Sequence, residues 1–417
     1  MKICLISNLY PPISRGGAEK VAEVVARGLR EAGHEVFVIS TKPWAGWKSL
    51  KPAAVEENGI KVYRFYPANL FYYLNDYKHH ALWRMKWHFW DMFNCQSARA
   101  VKNILQKEKP ELVMTHNLKG IGYLIPRAIK KLGIKHIHTL HDVQLAVPSG
   151  LIIKGQENNW SQRTWLRKIY EAVCRRLFGS PDVVVSPSKW LLDFYMARGF
   201  FENSKKIVLP NPIGLNVIVR SEATKQSHEQ EIATLPTVAR NDGLSLLYLG
   251  QIEEHKGILF LVDTLKKIDI DFKLHVAGDG SKMEELKKAV GEDARFIIHG
   301  KLSGEEVVKV FDQIDLTVVP SLCYENSPTV IYESLSAGVP VLAAKIGGVA
   351  ELVRDGENGF TFEAGDVEDL TRTIKSISAH RGELQKMRQA AQKSVEDFKI
   401  ENYIEKLIDK NFQTSYN

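Results

Sequence analysis

Nowhere in these 417 residues is there a run approaching the roughly 18 apolar residues of a membrane-spanning helix. The apolar stretch of the opening segment, MKICLISNLYPP, is too short for a signal-peptide core, so any membrane contact is expected to be peripheral. Cysteine is scarce: Cys4, Cys95, Cys174 and Cys323 form no C-x-x-C pair and have no zinc-ligand spacing with histidine. That argues against a disulfide framework or a structural metal and for a reducing cytoplasm. Apolar residues at 44% and charged residues at 25% give no reason to expect disorder. The length exceeds what one hydrophobic core usually serves, so two domains are expected.

What is present is alternation. KICLIS reads as a buried strand, the loop NLYPPISRGG leads into an amphipathic helix ending near Gly33, and HEVFVIS is the next strand. The same unit recurs through PELVMTHN, IKHIHTLHD, PDVVVSPS and KKIVLPNP, which predicts a first parallel α/β domain over residues 1–212. Residues 213–241 are polar and aperiodic, a linker or excursion. A second alternating series, from LSLLYLG to AELVRDGENGFTFE, gives a domain over 242–392, and a terminal helical stretch at about 393–417 follows. Ligands of open parallel sheets bind beyond the carboxyl ends of the strands, so a cleft between two such halves is the expected site.

The segment ENSPTVIYE, 325–333, places a carboxylate at each end of nine residues. Ser327 suits an N-cap and Pro328 the first helical position, so a helix is predicted from about Pro328 to just before Gly338. Glu325 then sits in the loop ahead of the helix and Glu333 in its second turn. The first turn is a ready anion site, and carboxylates accept well from sugar and ribose hydroxyls. Two solvated surface charges are the bland alternative for these nine residues taken alone.

Four features in register resolve the choice: the glycine loop PPISRGGAE, the strand end TLHD, YLGQIEEHKG, and E-x7-E itself. Over essentially its whole length the chain resembles the retaining nucleotide-sugar glycosyltransferases of family 4. That resemblance implies a GT-B fold, two Rossmann-like parallel-sheet domains facing across a cleft, the second taking the donor. It implies that Glu333 accepts from the donor ribose, and that Lys256, Gln251, Ser327 and Thr329 lie along the diphosphate, with Gly16 and Gly17 approaching it from the first domain. Glu325 and His141 would be the catalytic pair, Glu325 organising the transferred sugar and His141 facing it. Asn326, Pro328, Gly347, Gly348 and Glu351 would form the donor-sugar loop. The terminal helix would cross back onto the first domain, and backbone near Gly300 to Leu302 would read the base. Many relatives carry an arginine where this chain has Gln251, which leaves Lys256, the helix terminus and Arg15 to balance a leaving diphosphate. No cofactor or metal is implied, and no suitably placed D-x-D motif stands at a strand end. The expected partners are a nucleotide-diphosphate sugar and a glycan or lipid-linked acceptor in surface or exopolysaccharide synthesis, with no nucleic acid. An epimerase or glycan phosphorylase on the same double fold, or a non-catalytic nucleotide-sugar binding protein, are the alternatives.

Residues 70–94 are the richest aromatic and basic stretch, with Trp83, Trp87 and Trp90 at helical spacing near Lys78, Arg84 and Lys86. Two readings stand: tryptophans packed onto the first domain's core, or an interfacial helix giving peripheral contact with the inner membrane face. His79, His80, His88, His136 and His138 are read as core or surface residues and not as metal ligands. GDGSK lacks P-loop spacing and is read as a turn beside the nucleotide site. The net charge of +7 suits anionic donors or an anionic membrane face.

Overall fold

The computed structural model describes residues 1–159, 164–213 and 243–412. All but the first residue of the expected linker therefore lies outside the described residues. The chain divides into two compact units. Unit 1 comprises Met1–Leu151, Asn158–Pro212 and the stretch from Ile400 onward, and unit 2 comprises Ile152–Glu157 and Ile213–Lys399. The terminal return thus begins at Ile400 and not near 393, and six residues from the middle of the first half belong to unit 2.

Unit 1 is built on eight strands: β1 Lys2–Ile6, β2 Glu35–Thr41, β3 Ala53–Glu57, β4 Ile60–Phe65, β5 Leu112–Thr115, β6 Lys135–Thr139, β7 Val183–Ser186 and β8 Lys205–Val208. Their order is β3-β4-β2-β1-β5-β6-β7-β8, parallel throughout except for the antiparallel β3–β4 pair. β1, β5 and β7 are wholly or almost wholly buried, which is why they read in sequence as continuous apolar runs and not as alternating ones. The helix Gly17–Glu31 buries Val21, Ala22, Val25, Ala26 and Leu29 at three- and four-residue spacing. On that stripe Gly28 receives the terminal helix Ile400–Phe412: a Cβ there would stand 2.2 Å from Ile400 Cγ1.

Unit 2 has six parallel strands: β9 Leu244–Leu249, β10 Phe272–Ala277, β11 Phe296–Gly300, β12 Leu316–Val319, β13 Val341–Ala344 and β14 Gly359–Phe362. Their order is β11-β10-β9-β12-β13-β14, the doubly wound dinucleotide-binding order. Strand order reverses between β9 and β12, and in unit 1 between β1 and β5. In an open α/β sheet a crevice forms at such a reversal, because consecutive crossovers leave on opposite faces.

Among the described residues no helix is long and apolar enough to cross a membrane. The tryptophans of 70–94 divide. On the helix Ala81–Met92, Trp87 is 1% exposed, packs with Leu9, Phe71 and Tyr73, and donates its indole N–H to the Phe71 carbonyl at 2.8 Å. Trp83 and Trp90 are 52% and 55% exposed, so core packing accounts for one of the three.

Candidate active site

In unit 2 the reversal brings together the loops after β9 and β12. The first carries Gln251 and ends in the short turn Glu254–Lys256; the second runs from Pro320 to Pro328. Lys256 Nζ meets Glu325 Oε1 at 2.5 Å, and Ser321 donates its hydroxyl to the same oxygen at 2.9 Å. The two side chains are 27% and 14% exposed. Burial by itself would raise the Glu325 carboxyl, but the Lys256 ammonium and the two hydrogen bonds leave it below its ordinary value. Burial likewise opposes charge on Lys256, and Glu325 outweighs it and raises the ammonium's pKa. Both groups are therefore charged at neutral pH. The residues expected to serve diphosphate and sugar separately are ion-paired partners, a link the spacing alone did not reveal.

The helix begins one residue later than expected. Thr329–Ser336 is helical and Pro328 occupies the N-cap position without a side-chain cap, while Ser327 instead shares a 2.6 Å hydrogen bond with the Tyr332 hydroxyl. The physical reason is that proline's ψ of 123° keeps it extended, so only the residue after it enters the helix. Glu333 lies in the second turn, half-buried, and Asn326 is buried.

The glycine pair of the next loop is locked to Glu325. Gly347 has φ +62°, and a Cβ on it would stand 2.1 Å from the Glu325 carbonyl oxygen; Gly348 N–H donates to that oxygen at 2.8 Å. No side chain fits there without moving the Glu325 backbone. Glu351 ends the short turn Val349–Glu351 and is exposed. Gln251 accepts the Tyr248 hydroxyl on its backbone carbonyl at 2.6 Å. The GDGSK turn is tied to the same loop, since Ser281 donates to Glu253 through N–H at 2.9 Å and hydroxyl at 2.7 Å. The Gly300 carbonyl accepts from Gly278 at 2.8 Å.

A component not foreseen from sequence completes this side. Ile152–Glu157 runs antiparallel along the loop after β12: Tyr324 N–H donates to the Ile152 carbonyl at 2.8 Å, Lys154 N–H to Leu322 at 2.9 Å, and Ile153 bridges Cys323. Tyr324 donates its hydroxyl to Glu157 Oε1 at 3.0 Å. The β-branched pair in LIIKG was a signal for extended backbone, but it gave no hint of which sheet it would serve.

In unit 1 the reversal collects the loops after β1 and β5, with the loop after β6 alongside. Gly16 caps the helix Gly17–Glu31, and its N–H donates to buried Glu19 at 2.8 Å, so that N–H is engaged in the helix's own cap. Gly16 has φ −158°, extended backbone open to any residue, so the local conformation does not itself demand glycine. Arg15 Nη1 pairs with Asp76 Oδ1 at 3.2 Å. Lys119, 4% exposed, donates to the Pro148 carbonyl at 3.1 Å, and burial lowers its ammonium. His141 meets His116 at 2.9 Å, Nε2 to Nδ1, and burial holds it down at about 4, so it is neutral at pH 7. Asp142, next to it, is pushed up by burial to about 7 and accepts Gln144 N–H at 2.8 Å. His136 and His138 share the Thr115 hydroxyl at 2.7 and 2.9 Å, buried and neutral. Among the described residues no group of three or more His, Cys, Asp or Glu is arranged to hold a metal ion.

Comparison with known proteins agrees with this architecture. Residues 15–217 match the model of Glycosyltransferase Family 4, and residues 236–394 that of Glycosyl transferases group 1. An uncharacterized 42.6 kDa protein in the cps region of Klebsiella pneumoniae is 27% identical over 370 residues, covering 89% of this chain and 91% of that protein. Sucrose-phosphate synthase from Thermosynechococcus elongatus superposes with a TM-score of 0.73 at 19% identity over 100% of both chains. The Anabaena protein HepE, solved in complex with UDP, superposes with a TM-score of 0.70 at 19% identity over 98% of this chain and 100% of that one. The two matched segments span nearly the whole chain between them, and the two parallel-sheet units are the GT-B fold: the chain belongs to the glycosyltransferases, family 4 in its first half and group 1 in its second.

Proposed function

We propose that this chain is a retaining hexosyltransferase that takes its sugar from a nucleoside diphosphate donor bound by unit 2 and passes it to a glycan or lipid-linked acceptor of surface polysaccharide synthesis. The observation that carries the reading is the Lys256–Glu325 pair, held at the reversal of a doubly wound sheet and directly ahead of a helix N-terminus. A leaving diphosphate needs fixed positive charge where its own charge develops. Lys256 supplies a compact ammonium, and the helix starting at Thr329 supplies partial positive charge, without routing any step through a metal. Glu333, one turn into that helix, accepts from the ribose. Binding of the diphosphate draws Lys256 toward it and leaves Glu325 as acceptor for hydroxyls of the donor sugar. The acceptor hydroxyl attacks from the face the diphosphate leaves, passing its proton to a phosphate oxygen. Glu325 is an organiser and not a nucleophile, since with donor bound its carboxylate is held by Ser321 and by the hydroxyls of the donor sugar. His141, which the family resemblance assigns to the transferred sugar, would act as a neutral imidazole.

A lipid-linked acceptor would draw the enzyme to the cytoplasmic membrane face, and the helix Ala81–Met92 suits that place. Leu82, Met85, Phe89, Trp83 and Trp90 are 52–64% exposed, with Lys86 among them, and its one acid, Asp91, is buried and accepts Gly120 N–H at 2.8 Å. Aromatic and basic side chains without acid favour an anionic interface. Sedimentation with phosphatidylglycerol vesicles tests this: binding should fall when Trp83 and Trp90 become serine, and no binding by the natural chain would refute it.

The donor reading is tested by thermal unfolding with UDP, GDP, ADP or CDP in excess chelator. A nucleotide at about 100 times its dissociation constant stabilises by about 2.7 kcal/mol. One nucleotide should raise the midpoint of the natural chain and not of Glu333→Ala. No rise with any of the four, or an equal rise in the variant, would refute the assignment. Binding without turnover over a broad acceptor panel would instead favour the non-catalytic reading that Gln251 suggests.

A further inference from the structure

His116, the residue immediately after β5, has no role in the function proposed above, yet its ring meets that of His141. Its backbone is fixed by donation to the Ile6 carbonyl at 2.9 Å, and the loop carrying His141 is fixed by Leu140 N–H to the Val185 carbonyl at 2.8 Å. Both rings therefore hang from central strands. Their centroids are 5.2 Å apart and their planes differ by 24°, while His116 Nδ1 and His141 Nε2 are 2.9 Å apart. Nitrogens that much closer than the centroids, in nearly coplanar rings, mean the imidazoles meet edge to edge. That is the geometry of an N–H pointing at an in-plane lone pair.

Both rings are neutral, so one must donate and the other accept. His116 is 1% exposed, and its other nitrogen, Nε2, is buried without a hydrogen-bond partner. If His141 were the donor, His116 would carry its proton on Nε2 and bury an unpaired N–H, the rarer and costlier kind of orphan. If His116 donates from Nδ1, only a lone pair is left unpaired. His141 Nε2 is then the acceptor, and the His141 proton must sit on Nδ1.

We propose that His116 is a positioning residue: by donating Nδ1–H to His141 Nε2 it fixes the orientation of that ring and holds it as the Nδ1–H tautomer, so that His141 presents a donor. The tautomer follows from the contact geometry between two neutral rings; its consequence for turnover rests on the role of His141 proposed above.

The test uses the full chain labelled with 15N in histidine, with ring signals assigned through a His141→Gln variant. In the natural protein His141 should show a protonated Nδ1 and an unprotonated Nε2. His116→Asn, whose amide N–H can take the place of Nδ1–H, should preserve that pattern, and His116→Phe should lose it with the thermal midpoint monitored alongside. A natural chain whose His141 is protonated at Nε2, or a His116→Phe chain whose His141 spectrum is unchanged, would overturn the proposal. Turnover of UDP-glucose is the second readout: His116→Phe should lower kcat about tenfold with KM little changed, and His116→Asn should restore it. If the spectra behave as stated and kcat does not move, the positioning contact stands and the assignment of His141 to the reaction falls.

Discussion

Replacing Lys256 with methionine keeps most of the side chain's volume and removes its charge, leaving Glu325 in a site where burial opposes ionisation. Breaking a buried ion pair by removing one partner typically costs about 3–5 kcal/mol. With side chains 27% and 14% exposed, water reaches the pair in part, and we expect about 2–3 kcal/mol at pH 7. The pH dependence follows from the signs. Glu325 is held below its ordinary 4.5, so its contribution is present above that value and is lost as pH falls through the folded-state pKa. Lys256 is raised above 10.5, so its contribution is present below that value and lost as pH rises through its folded-state pKa. The pair therefore stabilises between about 4.5 and 10.5. In Lys256→Met the carboxyl's pKa moves above 4.5, because burial, the largest influence on it, is no longer outweighed. The deficit should shrink as pH falls below 4.5 and open toward pH 7. Urea unfolding of the natural chain, Lys256→Met, Glu325→Gln and the double variant, followed through the unit 2 transition, closes a double-mutant cycle. The double variant should be more stable at pH 7 than Lys256→Met alone. A deficit equal at pH 4 and pH 7, or a cycle without coupling, would refute the reasoning.

Three further outcomes are expected. Gly347→Ala should destabilise unit 2 by at least about 2 kcal/mol in urea unfolding, since left-handed backbone costs an L-residue about 1–2 kcal/mol before the Glu325 carbonyl is displaced, and a near-neutral result would contradict the contact. Trp87→Ala should cost about 3–5 kcal/mol by the same measurement on unit 1, whereas serine at exposed Trp83 should change stability by less than about 0.5 kcal/mol. Glu108, bound by Lys2 at 2.8 Å and Lys61 at 2.6 Å, is held down to about 2 by those hydrogen bonds and one from Tyr63. Its contribution is present above 4.5 and lost as pH falls through about 2, so Glu108→Gln should weaken unit 1 by about 1–2 kcal/mol at pH 7 and by progressively less in acid titration.

Both sheets were legible because strands buried on two faces leave continuous apolar runs, and amphipathic helices leave a repeat of three and four residues; Ile3 to Ile6 and Val21 to Leu29 are examples. The helix after E-x7-E was legible to within one residue, the error coming from Pro328, which stays extended and caps where it was expected to begin the turn. The double glycine at 347 and 348 was visible as a loop, but its reason, the Glu325 carbonyl beneath it, was not. The aromatic stretch at 70–94 announced a helix without saying which tryptophan it buries. A repeat in hydrophobicity marks a face only when the two sides of the helix differ, and here both carry large apolar residues.

By itself, then, the sequence determined two parallel α/β units, the loops that end their strands, and the chemical types gathered there. Those properties are local, written in periodicity, caps and breakers. Tertiary structure alone decided the partnerships. Lys256 and Glu325, 69 residues apart, meet because β9 lies beside β12. His116 reaches His141 because β5 lies beside β6. Ile152–Glu157 serves unit 2 because the loop after β12 offers backbone N–H and carbonyl groups that an extended segment can pair. Strand order and backbone pairing of this kind depend on which long loops close during folding, and no window of neighbouring residues carries that information.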